Sequence, residues 1–423
     1  MTAMNGTPLK HAAVARRREI LMVLPVAPWP ARLNGISIRY YPLIEALARR
    51  HHVDLFVHSE IRDTVPNDPL IKMLRSVAIE QKTMQPPRAL DRVFTLAEAL
   101  SPFGEPYRFA RYHAHHVQRQ LWNFTNGHQY DSVLWVMHEY RGILRQLKTR
   151  FPDARTVYDS IDSPYLHHLR EPQETRAMNL WRNYDLWKTR RWEQSLLEGV
   201  DSAAYISKPD AEAAKGSSTA RIEVIPNGIY LAEEPPQPPE EPSGPSIGFL
   251  GNMAYTPNIQ GALELHAKVF APLKQEIPGL KLVIIGRDPV RAVRALAGPD
   301  VDVTGTVNSI WPHIASVGVF VYPMTAGAGL QNKILEAMHA GKPVVTTEIC
   351  LNSLGAREGE EILVGRSDEE LRAHTRTLLL DREYARELGR RGKAYVDRTF
   401  DLTQVINQFE RFLIAKDTES SGS

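Results

Sequence analysis

The sequence predicts an α/β protein built from two doubly wound Rossmann-like domains that face a central cleft. Three observations lead there. At 423 residues the chain is too long for one hydrophobic core and has the length of two ordinary domains. Short β-rich runs alternate with segments of helical period along most of the chain, the pattern of parallel sheets covered by helices. Between the two series lies EEPPQPPEEPSGP, whose six prolines make an extended, stiff connector. The predicted divisions are a disordered tail over 1–18, a first domain over 19–230, a proline-rich linker over 231–245, a second domain over 246–399, a last helix over 400–415 and a tail over 416–423.

Composition narrows the class. A hydrophobic content of 43% with 24% charged residues fits a globular protein in water. The single cysteine, Cys350, excludes an internal disulfide framework and a thiolate zinc cluster, and it suits a reducing, cytoplasmic compartment. No run approaches the ~20 apolar residues of a membrane-spanning helix. Arg16, Arg17 and Arg18 with the following ILMVLPVA imitate a signal peptide, but Pro25 interrupts the run and a loop and amphipathic helix follow, as at the start of a βαβ unit. Residues 1–230 carry 31 Lys+Arg against 24 Asp+Glu, a net +7, while the remainder is net −5. The basic half suits an anionic membrane surface, so a location at the inner face of the membrane joins the expectations. Nucleic acid is not expected as a partner.

In chain order, Ile20 to Leu24 reads as the first strand, PVAPWPARLNG as a loop ending at Gly35, and ISIRYYPLIEALARR as a helix with Ile36, Tyr40, Leu43, Ile44 and Leu47 on one face. VDLFV at 53–57 is the parallel partner strand. The loop lacks G-x-G-x-x-G, which argues against a dinucleotide. Residues 60–130 read as helical and loop-like. His113, His115 and His116 fall there without i, i+4 spacing or an attendant carboxylate, so they are read as part of a basic helix and not as metal ligands. SVLWVM at 132–137 is a buried strand, and His138 follows at its carboxyl end, where open α/β sheets bind ligands. TVYDSID at 156–162 is the next strand. Its Asp159 and Asp162 suit a base, a metal, a cleft-lining contact or a helix cap. A Trp- and Arg-rich helix over 181–198 and the strands VDSAAYIS and IEVIPNGI complete the first series.

The second series runs SIGFLG, helix 258–271, LKLVIIG, helix 289–297, VDVTG, helix 308–316 and then YPMTAGAGLQNKILEAMHAGKPVVTT, followed by helices over 366–381 and 383–398 and the amphipathic LTQVINQFERFLIA. The long stretch at 322–347 carries the chemistry. Pro323 ends a strand buried on both faces. Gly327 and Gly329 bare the backbone, and the helix opening near Leu330 and Gln331 adds unpaired N–H groups and partial positive charge, an anion site. Lys333 and Glu336, three apart, share a face: the lysine suits a diphosphate and the glutamate the two hydroxyls of a ribose.

This stretch resembles the donor-binding signature of retaining glycosyltransferases of the GT-B fold, family four, whose pattern runs proline, glycine-rich loop, Lys, Ile/Leu-Leu-Glu-Ala-Met, Gly, Pro-Val-Val. The resemblance covers roughly residues 19–400. It implies a nucleotide-sugar donor held by the second domain and a glycan or lipid-linked acceptor held by the first, with transfer in bacterial polysaccharide or envelope synthesis. No cofactor and no metal are implied. Asn34 and Gly35 are implied beneath the transfer centre, His138 against the transferred sugar, Asp159 and Asp162 on the acceptor side or ordering the loop, and Gly251 and Asn252 where backbone meets diphosphate. Lys333 and His138 are the implied catalytic residues, and the last helix is implied to cross back onto the first domain. Two departures stand out. MAYTPNIQ after Gly251 lacks the family's Arg and Lys, leaving Lys333 as principal cation with Arg287 beside it, and Ala328 replaces the first acid of the paired-glutamate motif. The alternatives are a non-hydrolysing nucleotide-sugar epimerase and a catalytically silent nucleotide-sugar-binding partner.

Overall fold

The computed structural model describes residues 16–31, 34–59, 67–81, 93, 96–98, 100–102, 104–106, 114–170, 179–216, 218–229, 244–325 and 330–415. Two parallel sheets organise them. The first holds β1 (Glu19–Leu24), β2 (His52–Ser59), β3 (Ser76–Gln81), β4 (Ser132–Trp135), β5 (Arg155–Ile161), β6 (Ser202–Tyr205) and β7 (Arg221–Val224), in the order β3-β2-β1-β4-β5-β6-β7. The second holds β8 (Ser246–Leu250), β9 (Lys281–Ile285), β10 (Val301–Val303), β11 (Val319–Tyr322), β12 (Val344–Thr346) and β13 (Leu363–Val364), in the order β10-β9-β8-β11-β12-β13. Each sheet therefore grows outward in both directions from one adjacent pair, β1/β4 and β8/β11. Ligands of open parallel sheets bind beyond the carboxyl ends of the strands at such a switch point.

Both faces of each sheet are covered. On β1, Ile20, Met22 and Leu24 enter one hydrophobic layer, and Leu21 and Val23 enter the opposite one. The first layer also holds Leu402, Val405, Ile406, Phe409, Phe412 and Leu413, so the last helix (Leu402–Ile414) packs on the first domain although it follows the second in sequence. Its return is fixed by backbone bonds from Ile229 N–H to Phe400 O (2.7 Å) and from Leu402 N–H to Ile229 O (3.0 Å). Gly228 permits the approach: a Cβ there would lie 2.6 Å from the Leu402 Cα.

The structure departs from the sequence reading in several elements. The span 60–130 contains the edge strand β3, which pairs with β2 from Asp54↔Ser76 to Ser59↔Gln81. The two-residue β13 and the helices Lys208–Ala214 and Glu348–Leu354 are further additions. The helix expected over 289–297 shrinks to Arg291–Arg294, whereas that expected over 258–271 spans Thr256–Glu264, a wider π-turn at Leu265–Phe270 and Ala271–Glu276. His113, most of the proline-rich linker and the last tail lie outside the described residues. Among the described residues, no helix is long and apolar enough to cross a membrane.

One buried ion pair ties the first domain together. Arg39, on α1 (Gly35–Arg50), reaches Asp159 at the end of β5 through Nε (2.8 Å) and Nη2 (3.2 Å), and its Nη1 donates to Ile225 O, Pro226 O and Asn227 Oδ1. The Tyr40 hydroxyl and the Ile161 N–H take the remaining acceptor positions of Asp159. With both oxygens committed, Asp159 orders the strand end and presents nothing to an acceptor, which corrects its cleft-lining assignment. Removing it leaves Arg39 buried without a counter-charge, so Asp159→Ala should lower the unfolding free energy by about 3–5 kcal/mol in denaturant titration. A loss below about 1 kcal/mol, the range of a solvated pair, would contradict this reading.

Candidate functional site

At the switch point of the second sheet, β8 and β11 deliver two loops to the same place. After β8, Gly251 leads into Asn252, whose carbonyl accepts from the Asn258 side-chain amide at 3.0 Å and whose Oδ1 accepts from the Ala254 N–H at 3.0 Å. The Met253 N–H donates to the Arg287 carbonyl at 2.9 Å, joining this loop to the exit of β9. The two exits are so close that a Cβ on Gly286 would lie 1.7 Å from the Gly251 oxygen, and a Cβ on Gly251 would meet the Asn258 amide at 2.8 Å. Arg287 contributes this backbone contact, while its guanidinium lies half-exposed with Nε 3.7 Å from the Asp288 carboxylate.

After β11, residues 326–329 lie outside the described residues, and with them Gly327, Gly329 and Ala328. Leu330 is buried, and Gln331 is the N-cap of a helix over Asn332–His339 without a side-chain cap hydrogen bond and without an acid in its first turn. Lys333 does not project into solvent. Its ammonium lies over the rings of Phe249 (5.3 Å) and Tyr322 (5.9 Å), donates to Asn258 Oδ1 and touches Met324 Sδ at 3.5 Å. Among the described residues no carboxylate pairs with it, and burial lowers its pKa to about 8. Glu336 stands half-buried one turn on, close enough for its charge to help push the Tyr322 phenol up. Asn258 is the link that sequence reasoning missed. Its amide donates to the Gly251–Asn252 loop and accepts from Lys333, so one side chain sets the distance between the backbone loop and the cation. Its sequence signal is slight, a polar residue in the first turn of a helix.

The first domain presents its own strand ends. Asn34 Oδ1 accepts from the Ser37 N–H (2.9 Å) and Ser37 Oγ accepts from the Asn34 N–H (2.8 Å), a capping box that starts α1. The side-chain oxygen of Asn34 is therefore engaged in the helix. At Gly35 a Cβ would meet nothing within 4 Å, so this position borders open space. His138, after β4, belongs to a chain of hydrogen bonds with one direction. Ser160 Oγ donates to the Asp162 carbonyl (2.8 Å), Tyr158 donates to Ser160 Oγ (3.2 Å), and the Tyr158 oxygen thus accepts from His138 Nδ1 (2.8 Å). Burial lowers the His138 pKa, so the ring is held neutral with its proton on Nδ1 and Nε2 as the acceptor. Tyr158 and Ser160 escaped the sequence reading because alternate residues of a buried strand look like core.

Backbone strain gathers at these exits. Tyr140 after β4 (φ 65°), Ile161 at the end of β5 (φ 62°) and Asp288 after β9 (φ 55°) all adopt the left-handed region, and Ile161, being β-branched, does so at a steric cost. A bulge between Asp159 and Ile161 turns the chain there. The next carboxylate, Asp162, has its Oδ1 buried with no hydrogen-bond partner among the described residues. Burial, with Asp210 nearby, raises its pKa to about 7. Its charge, after burial, also raises the pKa of Tyr255 in the loop after β8, so this strand end of the first sheet and that loop of the second face one another. The Asn227 amide meets Asn332 Oδ1 at 3.3 Å across the same boundary. Among the described residues, no group of three or more His, Cys, Asp or Glu is gathered as a metal site requires.

Comparison with known proteins fits this geometry. Residues 244–381 match the family described as glycosyl transferases group 1. A phosphatidyl-myo-inositol mannosyltransferase of Propionibacterium freudenreichii is 28% identical over 51% of this chain and 57% of that protein, so the chain spans little more than half of this relative's length. Sucrose-phosphate synthase from Thermosynechococcus elongatus superposes with a TM-score of 0.66 at 17% identity, covering 93% of this chain and 98% of that one. HepE from Anabaena, in complex with UDP and glucose, gives 0.62 at 15% identity over 95% and 100%. At these identities the structural likeness speaks for the fold. The two facing parallel-sheet domains form a GT-B fold, and the match to the glycosyl transferases group 1 family falls within its second domain.

Proposed function

We propose that the protein is a retaining glycosyltransferase of family four that moves a hexosyl group from a nucleoside-diphosphate donor to a hydroxyl of a glycan or lipid-linked acceptor, without a metal cofactor. Its place would be the cytoplasmic face of a bacterial membrane, in polysaccharide or envelope synthesis. The observation that carries the reading is Lys333, a buried ammonium without a carboxylate partner among the described residues, held beside the Gly251 loop and a helix N-terminus. A buried cation in that setting is completed by an anion, and a diphosphate supplies one. Glu336 then receives the ribose hydroxyls. The UDP and glucose bound by HepE support a uridine donor, and the lipid named for the mannosyltransferase supports a lipid-linked acceptor.

In the reaction, the bond from the anomeric carbon to the diphosphate oxygen breaks and negative charge grows on the leaving phosphate. Lys333, the amides near Gln331 and the Gly251 loop stabilise that charge, each such donor contributing on the order of 3 kcal/mol. The acceptor oxygen bonds to the same face of the sugar and its proton passes to the departing phosphate. Neutral His138 accepts a hydroxyl of the transferred sugar through Nε2, and Asp162 orients the acceptor hydroxyl. Closure about the proline-rich linker excludes water.

A thermal-shift series against UDP, GDP, ADP and TDP and their common sugars tests the donor assignment. One base should stabilise the wild type, by about 2.7 kcal/mol at a hundred times its Kd, and lose its effect in Glu336→Ala. No shift with any of them would refute a nucleotide-sugar donor. Lys333→Ala and Glu336→Ala should each lower transfer at least about tenfold, and wild-type rates in both would discard the site assignment. Asp162→Asn should lower transfer by a similar factor while donor binding stays intact, which separates an acceptor role from a donor role.

The pH dependence follows from Lys333. The diphosphate binds the ammonium form, and the free protein loses that proton through about pH 8. Donor affinity should therefore fall as pH rises from about 8 to 10, approaching about tenfold per unit, and Lys333→Arg should flatten the decline. An affinity constant across that range in the wild type would contradict the assignment.

A further inference from the structure

Nine large hydrophobic side chains stand exposed among the described residues, and six of them belong to neighbouring segments of the first domain: Val93, Leu96, Leu100, Leu169, Trp181 and Trp187, between 42% and 65% exposed. Val93, Leu96 and Leu100 recur at helical spacing in a segment that meets the helix Asn179–Leu197, where the Tyr184 hydroxyl donates to Leu100 O (2.8 Å) and Lys188 donates to Glu98 O. Leu169 lies on the helix Pro164–Arg170, which packs on the same helix and leaves directly from the strand end that holds Asp162. The apolar patch thus borders the acceptor side of the cleft. Isolated apolar side chains on a surface need no explanation, whereas a gathering of six does.

The polar groups among them include an aromatic ladder and three arginines. Trp181, Tyr184 and Trp187 form a ladder along the helix with ring centroids 5.8 Å apart at each step, and the Arg191 guanidinium caps it 5.1 Å from the Trp187 ring. Arg190 lies 5.5 Å over Tyr165, and Arg182 donates to the Leu169 carbonyl at 3.0 Å. The carboxylates of this helix are turned to other work: Asp185 meets His168 at 3.1 Å, and Glu193 is buried against Ser163 and Tyr205. Indole and phenol rings favour the boundary between headgroups and acyl chains, aliphatic side chains enter just below it, and arginines stay at phosphate level. The net +7 of residues 1–230 adds charge of the matching sign.

We propose that this face docks the first domain onto an anionic lipid bilayer, with Trp181, Trp187 and the leucines seated at the interface and Arg190 and Arg191 against lipid phosphates. The proposal rests on the reading of a lipid-linked acceptor and gives it a geometry: a substrate tethered in the bilayer emerges beside the edge of the cleft that carries Asp162. The same patch would serve poorly for an acceptor free in solution.

Co-sedimentation of the full chain with vesicles of about 30% phosphatidylglycerol in phosphatidylcholine tests it. The wild type should pellet with these vesicles and far less with phosphatidylcholine alone. Trp181→Ala/Trp187→Ala should lower partitioning at least about tenfold, and Arg190→Gln/Arg191→Gln should remove most of the preference for the anionic lipid. Leu169→Gln, on a different helix, should weaken binding in the same direction. Nucleoside-diphosphate binding, measured in parallel, should be unchanged in all three. A wild type that stays in the supernatant, or a Trp double variant that pellets normally, would overturn the docking surface. Self-association that is lost in the Trp variant of a protein indifferent to vesicles would assign the face to a second copy and overturn it equally. Vesicle binding without nucleotide binding would sink the donor reading and leave this one standing.

Discussion

A lysine ammonium buried among ring faces and a single amide sets the terms for the second domain. Lys333 is held by ring faces, one amide oxygen and a thioether sulfur, none of which carries a formal charge. Burial lowers the basicity of the group, to a pKa of about 8, and on the proposed reading the diphosphate supplies the missing anion. The glycine at 286 and the amide at 258 exist within that arrangement for geometric reasons. The first lets two strand exits touch, and the second spans the gap between a backbone loop and the cation. On the proposed reading, a site prepared in this way costs little reorganisation when charge moves onto the ligand, which is the electrostatic condition for stabilising a departing phosphate.

The first domain is built on a different principle. Its corresponding buried charge, Arg39, is fully paired, and the pair locks α1, the end of β5 and the exit of β7 into one body. Against that rigid frame, Tyr140 and Ile161 hold strained backbone beside His138 and Asp162. The relay from His138 through Tyr158 and Ser160 ends on the backbone carbonyl of Asp162, so these two residues are joined through one chain of hydrogen bonds. The return of the last helix, sealed at Gly228, makes the frame continuous with the second domain.

Much of this was legible in the sequence because parallel strands buried on both faces announce themselves as uninterrupted apolar runs, and because the switch-point loops follow directly from strand ends. The edge strand β3 was missed since the polar residues Ser76, Glu80 and Gln81 break its apolar run, and β13 is only two residues long. The i, i+3 spacing marked Lys333 and Glu336 as a pair, but the burial of Lys333 depends on Asn258, 75 residues away in the chain. For Asp159 the sequence left acceptor contact and loop ordering both open, because its partner Arg39 lies 120 residues earlier, a distance that no local pattern spans. Asp162, by contrast, carried no sequence signal to separate it from Asp159, and only the orphaned oxygen in the folded chain distinguishes the two. Glycines 327 and 329, legible as a loop, fall outside the described residues.

The most direct test of the account is whether binding a nucleoside diphosphate draws a proton onto the protein. Calorimetric titration at about pH 8.5 in two buffers of different ionisation enthalpy, with the base that stabilises the wild type, measures this uptake. With Lys333 partly deprotonated in the free protein, the account predicts net proton uptake on binding by the wild type and none by Lys333→Arg, which is always charged. Binding without proton uptake by the wild type, or equal uptake by both proteins, would mean that the buried ammonium is not what receives the diphosphate.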